Sequence, residues 1–285
     1  MKTFAKLFAL FILTGILMNC RQQPKEYQVF ALYFCNEGTS LAKEAIIGYN
    51  GNDSVEWPNY FWLLKDPDGR NILVDAGWID STHVTRKFIR PDSVLLQLNI
   101  GPQEISDIII THPHYDHIGG ISLFPNARVW MNQDEYEYFV GPAWKEGGDS
   151  TGFTRQDVIN IETIKKQGRL KLVKGDDIEI MPGIKAYTGS THTHEDMYLL
   201  INPNSERNKI LLASDAVWFY INLEKELPVS LCADTAKYVN AMRRMKTLVS
   251  DQNLIIPGHD IGVMSRFPSV NDRIVRIKQG KQQNP

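Results

Sequence analysis

The sequence predicts an α+β fold in which two β-sheets lie face to face and helices cover their outer surfaces. Two observations support this prediction. Strand-like segments precede a helical segment in each half of the chain, which is the order expected when each half contributes one sheet and its covering helices. No proline-, glycine- or serine-rich boundary divides the 285 residues, so both halves are expected to share one domain.

The first half of the chain begins with strands. Aromatic and β-branched residues indicate a strand at 27–34, and residues 60–65 and 71–74 form a predicted hairpin around the turn at 66–69. The segment 35–58 carries glycine and asparagine and is left unassigned. Apolar residues predict a helix near Val94 that ends before Gly101. The remaining predicted elements of this half are strands at 105–110 and 128–131 and a helix at 133–140.

The second half opens with the segment 141–153, which shows no periodicity. Two interpretations remain open for it: a mobile flap over a site, or a surface loop. The segment 233–249 has the strongest helical pattern in the chain, and its methionines lie on the face that is expected in the core. The other predicted elements are a helix around 158–164 and strands at 170–173, 178–180, 184–187, 197–201, 210–212 and 253–256.

The N-terminus reads as an export signal. Lys2 and Lys6 precede a short apolar run that ends in Leu17-Met18-Asn19-Cys20, and this ending resembles the lipobox of bacterial lipoproteins, although Asn19 departs from the usual small residue. We therefore expect a lipoprotein-type signal peptide at 1–19, a linker at 20–26 and the folded domain at 27–285. The expected location is the bacterial cell envelope, with the domain attached to the membrane through lipidated Cys20 and facing the periplasm, or secreted.

Composition limits the class of partner. The formal net charge is −2 and the sequence pI is about 6.4, and no basic stripe recurs along the chain, so nucleic acid is not expected as a partner. A small-molecule substrate is the expected partner. Two further cysteines, Cys35 and Cys232, are expected to be free thiols, because nothing in their positions implies pairing.

The stretch Thr111-His112-Pro113-His114-Tyr115-Asp116-His117 carries the strongest chemical signal. Three histidines and an aspartate lie within six positions, directly after the apolar run 108–110. The group should therefore lie in the loop at the end of a buried strand. Imidazole nitrogen and carboxylate oxygen are ligands suited to Zn²⁺ and related ions, so the sequence predicts a metal-binding loop.

Four more polar residues follow predicted apolar strands in the same way: Asp75, His192, Asp215 and His259. Singly, each is typical of a turn, a helix cap or a structural histidine. Together they are more informative, because five of the seven histidines of the chain occupy these places. Side chains at the ends of neighbouring strands should gather at one edge of the sheets, so we expect one site.

At this point the sequence resembles the metallo-β-lactamase superfamily, over residues 27–267. The His-x-His-x-Asp-His pattern is complete, and Asp75, His192, Asp215 and His259 stand in the expected order. The resemblance implies a four-layer αβ/βα sandwich with two divalent metal ions, expected to be zinc. The implied ligands of one ion are His112, His114 and His192, those of the second are Asp116, His117 and His259, and Asp215 would bridge them. Asp75 would orient a ligand imidazole from outside the ligand set.

Within the superfamily the sequence is most similar to the N-acyl-homoserine-lactone lactonases, through residues 72–77, 108–120, 124–127, 215–216 and 257–260. Two departures leave alternatives open. The third motif lacks the common Pro-Gly-His-Thr turn, so His194 could replace His192, although the spacing favours His192. The substrate-positioning tyrosine of some lactonases is not matched clearly: Trp218 stands in its place and Tyr220 lies two positions later, and either could contact substrate or serve in packing.

The resemblance implies a metal-dependent hydrolase. A metal-bound hydroxide would attack the carbonyl carbon of a lactone or other carboxylic ester, and Asp116 would carry a proton to the leaving alkoxide. Other hydrolases of the superfamily, such as a β-lactamase or a thioesterase, are the alternatives. A non-enzymatic binding lipoprotein is a further alternative, but such a protein is expected to have lost some ligands.

Overall fold

A computed structural model of the protein describes residues 26–79 and 88–278. The predicted signal peptide and Cys20 lie outside the described residues. Twelve strands, numbered in chain order, lie within them: β1 (Gln28–Leu41), β2 (Ser54–Lys65), β3 (Asn71–Val74), β4 (Ile105–Ile109), β5 (Arg128–Asn132), β6 (Leu170–Val173), β7 (Ile178–Met181), β8 (Ile184–Tyr187), β9 (Tyr198–Ile201), β10 (Ile210–Ser214), β11 (Ile255–Pro257) and β12 (Ile274–Ile277).

Eight α-helices accompany these strands in the described part of the chain. They are α1 (Ala42–Ala45), α2 (Pro91–Leu96), α3 (Tyr115–Ile118), α4 (Gln133–Val140), α5 (Arg155–Lys166), α6 (Tyr220–Lys225), α7 (Thr235–Leu248) and α8 (Gly262–Arg266). None of the described helices is long and apolar enough to cross a membrane. The predicted bounds of β3, β6, β8 and α4 agree with the structure.

The strands form two sheets. The larger has seven strands in the order β12-β1-β2-β3-β4-β5-β6, and the smaller has five in the order β11-β10-β9-β8-β7. Strands β3 to β6 run parallel to one another, as do β10 and β11, whereas the other neighbours are antiparallel. The carboxyl ends of the parallel strands within each sheet therefore meet at one edge, which is where the predicted site residues follow.

Two apolar clusters separate the layers. Successive side chains of β1 point to opposite faces, so Val29 and Ala31 pack toward the smaller sheet while Phe30 and Leu32 pack toward the helices outside. The outer cluster also contains buried residues of α2, α4 and α5. On the far side, α7 covers the smaller sheet. The predicted αβ/βα sandwich is therefore present, and the methionines of α7 lie in the core as expected.

The structure adds elements that the sequence patterns did not reveal. The unassigned segment 35–58 contains the second half of β1, the helix α1 and the start of β2, and β1 and β2 stay paired through two register shifts. Strand β12 forms the edge of the larger sheet by antiparallel pairing with β1. Cys35 and Cys232 are both free thiols, as predicted.

Candidate metal centre

The predicted site residues meet at one edge of the two sheets. Asp75 directly follows β3, and the loop that begins at Thr111 follows β4. In the smaller sheet, Asp215 directly follows β10, while His259 follows β11 and His192 follows β8. All of these side chains are buried. Strand order and strand direction thus place residues that are up to 184 positions apart (259 − 75) beside one another.

Three residues around the site adopt a left-handed backbone conformation, which is uncommon outside glycine. These are Asp75, with φ of 60°, Thr191, with φ of 62°, and Ser214, with φ of 46°. The serine hydroxyl lies 3.0 Å from the hydroxyl of Thr111 and donates to Asp75 Oδ2 at 3.1 Å. The hydrogen bond from Ser214 to Asp75 offsets the strain of the serine conformation.

The first donor set consists of His112, His114, His192 and Asp215. Nδ1 of His114 lies 3.0 Å from Nε2 of His112 and 3.0 Å from Nε2 of His192. Oδ2 of Asp215 lies 3.2 Å from Nε2 of His192 and 3.8 Å from Nε2 of His112. Three ring nitrogens and one carboxylate oxygen therefore point to a common centre.

The second donor set consists of Asp116, His117 and His259. Nε2 of His117 lies 3.2 Å from Asp116 Oδ2, and Nε2 of His259 lies 3.7 Å from the same oxygen. The other carboxylate oxygen of Asp215, Oδ1, lies 3.1 Å from Nε2 of both histidines. Asp215 thus lies between the two donor sets: Oδ1 contacts the second set, and Oδ2 lies 3.2 Å from Nε2 of both His192 and His259.

Hydrogen bonds at the far ring nitrogens fix the orientation of four imidazoles. Nδ1 of His192 donates to the Leu231 carbonyl at 2.9 Å, and Nδ1 of His259 donates to the Pro58 carbonyl at 3.1 Å. Carbonyl oxygens only accept, so the proton of each ring lies on Nδ1 and the lone pair of Nε2 points to the centre. Neutral imidazoles held in this way are typical metal ligands.

Asp75 holds the other two of these rings. Its Oδ2 accepts from Nδ1 of His117 at 2.8 Å, and its carboxylate also accepts from the hydroxyl of Thr111 at 3.0 Å. Because that hydroxyl has given its single proton to Asp75, it accepts from Nδ1 of His112, which lies 3.0 Å away. One buried carboxylate therefore orients a ligand-type imidazole in each donor set.

The two donor sets differ in electrostatics. Burial lowers the pKa of His112 well below its usual range and that of His114 to about 3, and the neighbouring imidazoles act in the same direction. Burial also opposes charge on His117 and His259, but nearby carboxylates outweigh it, raising the pKa of His117 well above its usual range and that of His259 to about 9. The second donor set therefore lies in a negative potential that favours a cation.

The residues present fit metal ions. Nε2 of His117 and Oδ1 of Asp215 are buried 3.1 Å apart, yet neither atom makes a hydrogen bond with suitable geometry. Buried polar atoms without partners are costly, since desolvation is then uncompensated. A cation between these atoms would satisfy both, so the unpaired atoms agree with the donor chemistry of the site.

A cavity of about 240 Å³ opens onto His114 and His192. One wall is formed by the segment 141–153, through Asp149, Thr151 and Phe153. This segment therefore lies against the site. His194 lines the cavity too, but it is exposed and stacks on Tyr138, with ring centroids 4.4 Å apart. The structure thus places His192, and not His194, in the donor cluster.

Trp218 and Tyr220 have different surroundings. The indole Nε1 of Trp218 donates to Asp215 Oδ2 at 2.8 Å, so this side chain reaches the cluster through a carboxylate. Tyr220 is not brought to the cluster: it is buried, the guanidinium of Arg266 lies 3.5 Å from its ring centroid, and burial is the main cause that raises its pKa. The spacing from Asp215 did not reveal this difference.

Comparison with known proteins decides the family. The family model described as "Metallo-beta-lactamase superfamily" matches residues 55–259, which is most of the chain. The chain belongs to the metallo-beta-lactamase superfamily. The seven ligand-type residues of the superfamily pattern are the ones that meet in the two donor sets.

Relatives within the superfamily include lactonases. The chain is 27% identical over 262 residues to the N-acyl homoserine lactonase AttM of Rhizobium johnstonii, covering 83% of this chain and 95% of that protein. It is 25% identical over 250 residues to an N-acyl homoserine lactonase of a Bacillus species, covering 81% and 93%.

Solved structures of the superfamily have a similar fold. One is an N-acyl homoserine lactone hydrolase with the product N-hexanoyl-L-homoserine at its catalytic metal centre, with a TM-score of 0.66 and 21% identity over 85% of this chain and 96% of that one. Another is AidC, a dizinc quorum-quenching lactonase, with a TM-score of 0.64 and 15% identity over 90% and 98%. At these identities the likeness supports the fold alone.

Sequence patterns did not reveal some residues that support the site. Asp196 is buried and accepts hydrogen bonds from the hydroxyl of Ser190 and, at 3.2 Å, from the backbone N–H of His192, so it fixes the loop that carries this histidine. Glu37 accepts from the Tyr115 hydroxyl at 3.0 Å, beside the metal-binding loop. The position of Asp196, four residues after a ligand, could have suggested its role, but Glu37 has no local signal.

Proposed function

We propose that this protein is a dinuclear metal-dependent hydrolase that opens the ring of a lactone, in the manner of an N-acyl-homoserine-lactone lactonase. Membership of the superfamily and the names of the similar lactonases support this proposal. The observation that carries it is the placement of Asp215, whose carboxylate lies within 3.1–3.2 Å of imidazole nitrogens in both donor sets. A single-metal site has no need for this arrangement.

In this proposal His112, His114 and His192 hold one ion, Asp116, His117 and His259 hold the second, and Asp215 contacts both. Zinc is the proposed metal, because imidazole-rich sets with few carboxylates suit it. When bound, two such ions would lower the pKa of water toward neutrality and polarise the substrate carbonyl.

The protein's own residues then have distinct tasks. Asp75 keeps the imidazoles of His112 and His117 in the tautomer that offers Nε2 to the centre. The recorded contacts of Asp116 with His117 and His259 both run through Oδ2. We assign to Oδ1 of Asp116 the transfer of a proton to the leaving alkoxide, because Oδ2 faces the imidazoles and Oδ1 is the oxygen left for the substrate.

The cavity beside the cluster is the proposed location of the rest of the substrate. It opens onto His114 and His192, and Phe153 and Leu231 give it apolar surface while Thr151 and Thr193 give it polar surface. Walls of this mixed character suit an acyl amide, in which a polar amide group joins an apolar chain.

Metal analysis combined with a substrate panel tests the proposal. Purified protein is expected to contain about two equivalents of zinc, and to open lactones faster than it hydrolyses β-lactams, thioesters or phosphodiesters. A chelator should abolish turnover, and added zinc should restore it. A zinc content well below one equivalent per protein chain after zinc loading would contradict the dinuclear assignment. Efficient β-lactam turnover without lactone turnover would replace the proposed substrate class.

We also propose that the mature protein is a lipoprotein of the cell envelope that is attached through Cys20. The proposal rests on the apolar run and the lipobox-like ending at Cys20. In a bacterial host, labelled fatty acid should be incorporated into the wild-type protein and not into Cys20→Ala. Equal labelling of both proteins, or recovery of unlabelled wild-type protein from the soluble fraction, would contradict lipidation.

A further inference from the structure

The imidazole of His114 is oriented differently from the other four. Far-side hydrogen bonds hold His112, His117, His192 and His259. His114 faces the cluster with Nδ1 instead, so its far nitrogen is Nε2. Within residues 26–79 and 88–278, no protein atom makes a recorded hydrogen bond to that nitrogen. Another contact must therefore define the position of this ring.

Gly152 supplies that contact. A Cβ atom built on this glycine would lie 2.5 Å from Cδ2 of His114 and 3.0 Å from its Cγ and Nε2. A Cβ atom does not approach a non-bonded carbon as closely as 2.5 Å, so only glycine allows the backbone to lie against this ring edge. Nδ1 lies on the opposite side of the ring and faces the other histidines. The backbone at Gly152 therefore limits how far Nδ1 can withdraw from the cluster.

The segment 141–153 is anchored so that Gly152 stays in this place. The carbonyl of Gly152 accepts a hydrogen bond of 2.9 Å from the backbone N–H of Tyr115, the residue that follows His114. The ring of Phe153 lies 5.6 Å from the His114 ring and 5.0 Å from the ring of Phe139 on α4. Farther along the segment, the backbone N–H of Asp149 donates to the hydroxyl of Tyr138 at 2.8 Å. Anchors on both sides thus hold the glycine against the histidine.

We propose that Gly152 is a positioning residue for the metal site. The other four histidines are held by hydrogen bonds on the side of the ring away from the cluster, whereas His114 is held there by contact with the backbone of Gly152. This contact sets the position of His114 Nδ1. The proposal rests on the proposed function, since it requires a metal ion at the first donor set. Supports of metal ligands typically contribute 10- to 100-fold to metal affinity, and a side chain at position 152 should cost about that much at the first ion.

The segment offers a matched control. Gly147 has a similar left-handed conformation, with φ of 80° against 73° for Gly152, but a Cβ at Gly147 would meet no atom within 4 Å. Gly147→Ala and Gly152→Ala therefore carry similar backbone strain, and only the second displaces His114. Gly147→Asn and Gly152→Asn form a second pair in which the strain is smaller, because asparagine tolerates the left-handed region.

The experiment is a zinc titration of the five metal-free proteins against a chromophoric chelator, with thermal unfolding measured in parallel. Both Gly152 variants should bind the more affected ion about 10- to 100-fold more weakly than wild type, whereas both Gly147 variants should bind two ions as wild type does. With cobalt(II), the visible absorption of the Gly152 variants should change as well, because it reports the ligand geometry of the ion.

Each other outcome overturns the inference. Wild-type zinc affinity in both Gly152 variants would show that His114 is positioned without this contact. Equal losses in the Gly147 and Gly152 variants would assign the effect to backbone strain. Failure of both Gly152 variants to fold would show that the glycine supports the segment as a whole and not His114 in particular. If wild type itself binds no zinc, the proposed function fails first, and the two failures are thereby distinguished.

Discussion

The indole Nε1 of Trp218 donates a 2.8 Å hydrogen bond to Oδ2 of Asp215, the oxygen that also lies 3.2 Å from Nε2 of His192. The tryptophan is buried, and its ring packs against Trp57 with centroids 5.0 Å apart. A residue three positions after Asp215 thus constrains the carboxylate that faces both donor sets. Trp218 therefore influences the site indirectly, by orienting the carboxylate of Asp215.

Trp218→Phe is expected to weaken metal binding while the fold is retained. Phenylalanine keeps the aromatic packing but lacks the N–H group, so Asp215 loses its fixed orientation, and metal affinity should fall about tenfold. A zinc titration measures this change. Trp57→Phe is the control, because its indole donates to Ser40 at 2.9 Å and not to Asp215. Equal zinc affinities in the two variants would contradict a specific role for the Trp218 N–H.

Asp75→Asn should reduce metal content and stability together. The amide offers one acceptor oxygen where the carboxylate offers two, so either His117 or Thr111 loses its partner. We expect metal affinity to fall about 10- to 100-fold. Asp107→Asn is a matched control: Asp107 is also buried beside β3, but it binds Arg128 and Trp130 at 2.8 Å. Asp107→Asn should lose stability and keep its zinc. Loss of zinc from this control would show that the metal site is sensitive to the removal of any buried carboxylate.

Asp116→Asn should reduce lactone turnover by about 10²- to 10⁴-fold at saturating zinc, because an amide cannot accept and release the proton. Steady-state kinetics with a lactone measure the effect, and zinc content is determined on the same samples. Asp134→Asn serves as the control, since Asp134 lies on α4 and pairs with Lys174 at 3.0 Å. If the turnover of Asp116→Asn is within twofold of the wild-type value, Asp116 does not transfer the proton.

Glu135 should make stability depend on pH. Burial raises its pKa from 4.5 to about 8, so between these values the folded state binds a proton that the unfolded state has released. The contribution of Glu135 to the free energy of unfolding is therefore complete below pH 4.5. It falls by roughly 1.4 kcal/mol per pH unit as the pH rises from 4.5 to about 8, and it is lost above that pH. Thermal unfolding of wild type and Glu135→Gln should diverge in this direction as pH increases.

The neutral glutamine keeps an acceptor for the backbone N–H of Glu195, which donates to Glu135 in the wild type. Glu135→Gln should consequently have the flatter pH profile of the two. Glu206→Gln changes an exposed carboxylate and should reproduce the wild-type profile. Parallel profiles for all three proteins would count against the raised pKa.

Some elements could be predicted because their signals are local. Strand β3 reads as an apolar run after a turn with glycine, and in the structure the Gly69 N–H donates to the Asp66 carbonyl at 2.9 Å, with Gly69 in the left-handed conformation. Strand β12 was missed for the opposite reason. Its four residues form a strand only because they pair with β1, whose partner residues are 242 to 248 positions earlier (274 − 32 and 277 − 29), and no local pattern indicates such a partner.

By itself, the sequence determined which residues can bind metal and that they follow apolar strands. Both features are local, because a short stretch such as 108–117 contains the apolar strand pattern and the ligand-type side chains together. Only the tertiary structure decided the directions of side chains. It distinguished His192 from His194 and Trp218 from Tyr220, and it brought Gly152 against His114. The first two distinctions depend on which of two residues, two positions apart, faces a distant part of the chain. The contact of Gly152 with His114 joins residues that are 38 positions apart (152 − 114), and a local pattern does not specify such contacts.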